Sequence, residues 1–209
     1  LEVLDRAGHP VGIVTKSALV LRDLDILARM AERNLAKVAL SVTTLDATLA
    51  RKMEPRAATP MRRLETLRRL AQAGVPTTVM VAPVIPALND MEIERILEAA
   101  RTAGVKEAGY VLLRLPLEVR DLFREWLIAN YPDRYRHVFK LIRDMRGGKD
   151  YDSTWGTRMK GAGPYAWMIG RRFEMACEKL GLNVSRTQLT IEHFRKLKPG
   201  TEQLSLFGS

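Results

Sequence analysis

The sequence predicts an α/β fold built on a parallel sheet, and three observations carry that reading. Four apolar segments, each followed by an amphipathic stretch, alternate over residues 1–145. The apolar segments are apolar on both faces, the pattern of a parallel sheet covered by helices rather than of a half-exposed antiparallel one. The tripeptide Ala73-Gly74-Val75 returns as Ala103-Gly104-Val105 at the same helix-to-strand joint, which marks a repeating unit.

Taken in order, the first strand reads Val11 to Thr15 and its helix runs from about Arg22 to Leu35, with Leu24, Leu27, Ala28, Ala31 and Leu35 as the apolar stripe. The second strand is Val38 to Thr43. Its helix opens at Thr59-Pro60, an N-cap residue followed by proline at the first helical position. Met61, Leu64, Leu67 and Leu70 make the expected buried face, and Gly74 closes the helix. The third strand is Thr77 to Ala82, and the next helix opens at Asn89 with Glu92 in a capping-box arrangement. Ile93, Ile96, Leu97 and Ala100 face inward there. The fourth strand, Ala108 to Arg114, precedes helices at about Leu117 to Ala129 and Pro132 to Met145. Long loops are expected at Thr44 to Thr59 and at Pro83 to Asn89, on the edge where such folds place their chemistry. The alternation fits either a barrel-like or a doubly wound sheet; four units are too few to close a barrel of eight and would suit an open partial barrel. After Met145 the pattern changes: Arg146 to Lys149 and Lys160 to Gly163 read as glycine-rich basic loops. A helix from Pro164 to Leu180 follows, with Ile169, Phe173, Ala176 and Leu180 on one face. The expected division is therefore residues 1–145 as the barrel part, 146–198 as a basic helical extension and 199–209 as a flexible tail.

Composition narrows the function classes. The chain has 209 residues, 34 Lys and Arg against 24 Asp and Glu, and a net charge of +10. With 46% hydrophobic and 28% charged residues it is ordinary globular material. No apolar run reaches the ~18 residues of a membrane helix, so no membrane association is expected. Cys177 is the only cysteine, which excludes an internal disulfide and any site built from several thiolates of this chain. The start Leu1-Glu2-Val3 has neither an initiator methionine nor a secretory signal, and the expectation is a cytoplasmic protein and a piece of a longer one. Between Arg143 and Lys198 twelve Lys and Arg face six Asp and Glu. Concentrated positive charge favours a polyanionic partner, usually nucleic acid; the alternative is a solvated basic surface without a partner.

Among motifs, there is no G-x-G-x-x-G after a strand, no Walker lysine loop and no serine nucleophile elbow. His9, His137 and His193 lie far apart without metal spacing. What remains is the strand ends. Lys16 and Arg114 place cations at the mouth of the sheet, suited to a carboxylate or a phosphate. Ser41 and Thr43 alternate with Leu40 and Val42, so their hydroxyls point to one side.

The run Ile13 to Ser17, Leu40 to Thr43, Glu54-Pro55 ahead of a helix, Gly74-Val75-Pro76 and Val81 to Pro86 resembles the later part of a radical S-adenosylmethionine (SAM) enzyme. The branch it resembles is the one related to spore photoproduct lyase, a DNA repair enzyme. The likeness covers about Val11 to Leu115, and Asp152 to Met159 with Gly163-Pro164-Tyr165 resembles the C-terminal region of bacterial members of that branch. The resemblance implies a partial (β/α)6 TIM-like barrel, of which this chain holds the C-terminal four βα units followed by the α-helical basic extension. It also implies a [4Fe–4S] cluster on a C-x-x-x-C-x-x-C loop, with SAM on its open iron as the source of a 5′-deoxyadenosyl radical. By the same resemblance Lys16 pairs with the SAM carboxylate and Ser41, with Thr43 beside it, contacts its ribose or amino-acid part. Ala82 and Val84 offer backbone and apolar contact to the adenine, and Arg51 and Glu54 are further candidates. No C-x-x-x-C-x-x-C stands in this sequence, so the 209 residues alone are expected to bind no cluster and to be inactive.

Near the end, Gln203-Leu204-Ser205-Leu206-Phe207 resembles the peptide by which bacterial repair and replication proteins hold the DNA sliding clamp, with Gln203, Leu204, Leu206 and Phe207 as contacts. Three functions compete at this stage. The first is a radical SAM enzyme acting on nucleic acid. The second is a non-catalytic module bound to DNA and the sliding clamp, whose DNA affinity would fall when Arg171 and Arg172 are changed. The third is an aldolase-like or phosphate-binding barrel with Lys16 as its working lysine.

Overall fold

Strands β1 (Val11–Thr15), β2 (Ala36–Ser41), β3 (Thr77–Val84) and β4 (Glu107–Leu112) form one parallel sheet in the order β1-β2-β3-β4. The structure, a computed structural model, describes residues 1–151, 153–154 and 158–197. The register aligns Thr15 with Leu40, Leu40 with Val79 and Val79 with Ala108, so one row of side chains crosses the whole sheet. Strand order follows chain order because each crossover is a helix packed on the same face, as right-handed βαβ units require.

Those crossovers are α2 (Leu24–Ala31), reached by a 3₁₀ turn over Ala18–Asp23, α4 (Pro60–Gln72) and α5 (Ile93–Thr102). Leu40, Val42, Val79 and Val81 meet Leu67, Ile93, Ile96 and Leu97 in the main core, all between 0 and 1% exposed. The same core takes in α8 (Gly163–Leu180) through Ala166, Ile169 and Phe173, so the basic extension is packed onto the sheet through a shared core. A second cluster joins α3 (Ala47–Met53), α6 (Val119–Asn130) and α7 (Tyr135–Asp144) beyond the C-terminal ends of the strands, around Leu49, Leu127, Val138 and Phe139. A short α1 (Glu2–Ala7), which the sequence pattern did not signal, packs beside α2.

The repeated Ala-Gly-Val joint is a repeated structure. Gly74 (φ 77°) and Gly104 (φ 90°) take the left-handed conformation, and Val75 and Val105 donate back to Leu70 and Ala100. Positive φ is open to glycine without a Cβ penalty, and the valine after it is delivered into the core.

Several expectations need correction. Among the described residues the sheet is covered on one face only: Val14 is 72% exposed, and Lys37, Ala39, Thr78, Met80 and Ala82 are partly exposed on the same side. The first helix ends at Ala31, because Asn34 turns the chain at φ 57° and Leu35 leads into β2. The stretch expected as a loop after β2 contains α3, capped by Asp46, whose carboxylate accepts from Thr48 N at 2.7 Å and Leu49 N at 3.3 Å. On α4 Met61 is 73% exposed and Arg63 is buried in its place. Asn89 and Glu92 form no capping box; both side chains reach back to the ends of β2 and β3. Residues 182–197 run back beneath the sheet, where Asn183 donates to Ala108 O and accepts from Ala108 N, and Arg195 N donates to Ala7 O. No helix among the described residues is long and apolar enough to cross a membrane.

Candidate active site at the C-terminal edge of the sheet

Parallel strands end together, so the segments that leave them meet at one edge. Here the chain brings Lys16 after β1, Thr43 after β2, Glu54 after α3 and Arg63 from α4 onto one point. Lys16 Nζ and Arg63 Nη2 both donate to the Glu54 carboxylate, one to each oxygen. The Thr43 hydroxyl lies 3.1 Å from Glu54 Oε1 and 3.1 Å from Ala82 O. Arg63 is locked from behind, with Nε donating to Ala58 O at 2.8 Å and Nη1 to Ser41 O at 2.9 Å.

Exposure divides the group into a scaffold and a face. The side chain of Arg63 is 3% exposed and that of Glu54 12%, whereas that of Lys16 is 41% exposed. Burial works to raise the Glu54 pKa, but the hydrogen bonds and charges of Lys16 and Arg63 outweigh it and hold the carboxyl below its ordinary value. The cluster is therefore a fixed carboxylate with one buried cation behind it and one accessible cation in front.

A second set of struts fixes the backbone around it. Asn89, 2% exposed, donates to Thr43 O at 2.7 Å and Pro83 O at 3.0 Å and accepts from Ile85 N at 2.7 Å. Glu92 accepts from the Thr44 hydroxyl and from Leu45 N. Each strut satisfies buried backbone groups that leave the ladder where the strands stop.

Of the residues singled out from sequence, Lys16, Thr43 and Glu54 meet, and Ser41 joins them through its carbonyl. Ala82 is at hand, its carbonyl shared with Thr43. Val84 is not: it is 0% exposed in the main core and its carbonyl accepts from Leu113 N, so it has no surface to offer a ligand. Arg51 is exposed on α3, outside this cluster. Arg114 is turned to its own neighbours, with Nη2 donating to Tyr151 Oη at 3.0 Å. Cys177 is buried on α8, and burial first, then Glu174, pushes its pKa up to about 11. Gln203, Leu204, Leu206 and Phe207 lie outside the described residues. Arg63, Asn89 and Glu92 were missed. Arg63 shares the stripe of Leu67 and Leu70, a position that hints at burial without revealing its partner Glu54.

This is an open α/β sheet with a polar, charged cluster at the C-terminal ends of adjacent parallel strands, the place where such folds bind cofactors and substrates. Residues 1–100 match the family model described as the Radical SAM superfamily, and over that stretch the chain is similar to radical SAM proteins. Uncharacterised proteins of Mycobacterium bovis and Mycobacterium tuberculosis are 33% identical over 142 residues, 66% of this chain and 42% of theirs. An uncharacterised protein of Acidianus two-tailed virus is 40% identical over 106 residues, 48% of this chain and 35% of its own. The chain thus spans less than half the length of these relatives. Among solved structures, two mutants of spore photoproduct lyase match with a TM-score of 0.55 at 15% identity, over 87% of this chain and 53% of theirs. That likeness is one of fold, and it agrees with a partial TIM-like barrel.

Proposed function

We propose that this chain is the SAM-binding part of a radical SAM enzyme that acts on nucleic acid, with DNA as the substrate class, in the cytoplasm. The observation that carries the reading is the accessible Lys16 beside the fixed Glu54, inside the stretch that matches the family. SAM ends in an ammonium and a carboxylate, and a cation next to an anion is the complement of that pair. Lys16 takes the carboxylate and Glu54 the ammonium, with partly exposed Ala82 at the strand end beside them. Ser41 and Thr43 are buried and brace Arg63 and Glu54. Arg63 holds Glu54 charged and in place.

The other cofactor of such enzymes does not fit these residues. A [4Fe–4S] cluster needs several thiolates, whereas Cys177 is the sole cysteine and no group of three or more ligating side chains gathers among the described residues. The cluster ligands are accordingly assigned to a part of the enzyme outside these 209 residues, and the radical step is not routed through side chains of this chain. The DNA part rests on the basic excess and on the fold shared with spore photoproduct lyase. The sequence of Gln203 to Phe207 adds a sliding clamp as a second partner.

Calorimetric titration of the 209-residue chain with SAM tests the reading. Binding is expected, and Lys16→Ala is expected to weaken it about tenfold, the worth of one charge-assisted hydrogen bond. No binding by the wild type, or equal binding by the variant, would falsify it.

A further inference from the structure

A cleft of about 350 Å³ lies between the outer edge of β4 and the first turns of α8, outside the Lys16–Glu54 cluster. Tyr110, Lys160, Gly161, Trp167, Arg171 and Glu174 line it. Trp167 is 70% exposed, a large ring left in solvent. Trp126, by contrast, stacks on Phe123 and donates to Lys52 O at 2.9 Å. Arg171 stands one turn beyond Trp167 on the same helix face. The floor is open because Gly170 has no side chain; a Cβ there would sit 3.1 Å from Tyr110 Oη.

The charges at this cleft are available. Lys160 makes no ion pair among the described residues. Arg171 meets only Glu174 among the described residues, at 3.2 Å, with both side chains more than half exposed, a pair of little net worth in water. Arg172, next in sequence, is committed instead, with two donors to Glu94 at 2.7 and 2.6 Å. A second hollow of about 560 Å³ continues from the first, sharing Tyr110, Lys160 and Glu174 and ending at Arg186. Glu178 lines only that second part, while Glu174 stands where the two meet and is paired with Arg171, so an anion belongs at the Lys160–Arg171 end.

We propose that this cleft binds single-stranded nucleic acid, with Trp167 stacking an unpaired base and Lys160 and Arg171 holding the adjoining phosphodiester over the Tyr110 hydroxyl. An exposed indole flanked by cations presents both things a single strand offers, a base face and a backbone charge. Bases in a duplex are already stacked and offer the ring nothing. The inference rests on the nucleic-acid reading above and deepens it by naming the surface and the strand form.

The test is fluorescence polarisation of a labelled oligothymidine of ~12 nucleotides, a length within the usual site size, with the full 209-residue chain. Trp167→Ala is expected to weaken binding on the order of tenfold and Trp167→Phe to restore most of it, since a phenyl ring still stacks. Lys160→Gln with Arg171→Gln should flatten the slope of log affinity against log salt by about 1.4, two single-strand phosphate contacts. Arg62→Gln, exposed on α4, is the control and should change neither. All these side chains are exposed, so the melting temperature reports any unfolding. If the wild-type chain binds neither oligothymidine nor duplex, the nucleic-acid reading falls together with this one. If it binds and the Trp167 and Lys160–Arg171 variants bind equally well, or if duplex is preferred, only the assignment of this cleft is overturned.

Discussion

One carboxylate at Glu54 meets two cations, and its surroundings decide what each is worth. Lys16 stands in front, accessible to a ligand, while Arg63 is nearly sealed behind α4. Removing the carboxylate leaves a buried guanidinium without its counter-ion, which costs about 3–5 kcal/mol. Glu54→Gln is therefore expected to lower the unfolding free energy by that order in urea titration at neutral pH. Because the folded-state pKa is depressed, the stabilisation is complete above the unfolded carboxyl value of about 4.3 and is lost as pH falls through the lower folded value. The gap between wild type and Glu54→Gln should accordingly close in acid; a gap that stays constant down to pH ~3 would show that charge is not its source. Lys16 and Thr43 were legible in the sequence as polar residues at strand ends, and Glu54 through the family resemblance. Arg63 was not, because a charged residue on a helix stripe is read as solvated until a carboxylate is seen behind it.

At the scale of elements, α3 brings Glu54 to the sheet. It is a short helix and short helices are marginal alone, so its position depends on anchors: the Asp46 cap, Leu49 in the second core, Lys52 Nζ 4.7 Å over the Tyr131 ring, and the Trp126 indole donating to Lys52 O. Asp46→Ala removes an acceptor for two backbone amides and is expected to cost about 1 kcal/mol. Hydrogen exchange should then quicken at Thr48 and Leu49; unchanged protection there would show that the tertiary anchors hold α3 without its cap. The strands were legible as short runs apolar on both faces, and α4, α5 and α8 by the period-3.6 patterns in their sequences. α3 was not, since its apolar residues pack on α6 and α7, some 75 to 90 positions further along the chain. Asn89 and Glu92 misled for the same reason: the spacing of a capping box is local, while their partners Thr43, Thr44 and Leu45 lie more than forty residues upstream.

At the scale of the whole molecule, one cysteine decides what chemistry the chain can host. Cys177 is buried, its thiol pushed up to about 11, and donates no thiolate at neutral pH. Anaerobic reconstitution of the 209-residue chain with iron and sulfide is expected to leave it without the broad visible charge-transfer absorption of an iron–sulfur cluster. One cluster per chain after desalting would require ligands other than cysteine thiolates. Charge is uneven as well, and tertiary structure sorts it: of the neighbouring arginines on α8, Arg172 is spent on Glu94 and Arg171 remains at a cleft.

The sequence by itself determined the parallel α/β architecture, its four strand-helix units, the helix-closing glycines and the presence of a single cysteine. Those follow from periodicity, turn chemistry and residue counts, all of which are local or additive. Only the tertiary structure decided that one sheet face stays open among the described residues, that Arg63 is buried behind Glu54, that Val84 belongs to the core, and that Trp167 stands in solvent beside Lys160 and Arg171. Each depends on which distant segment packs against a residue, and a side chain's own neighbours in sequence carry no record of that.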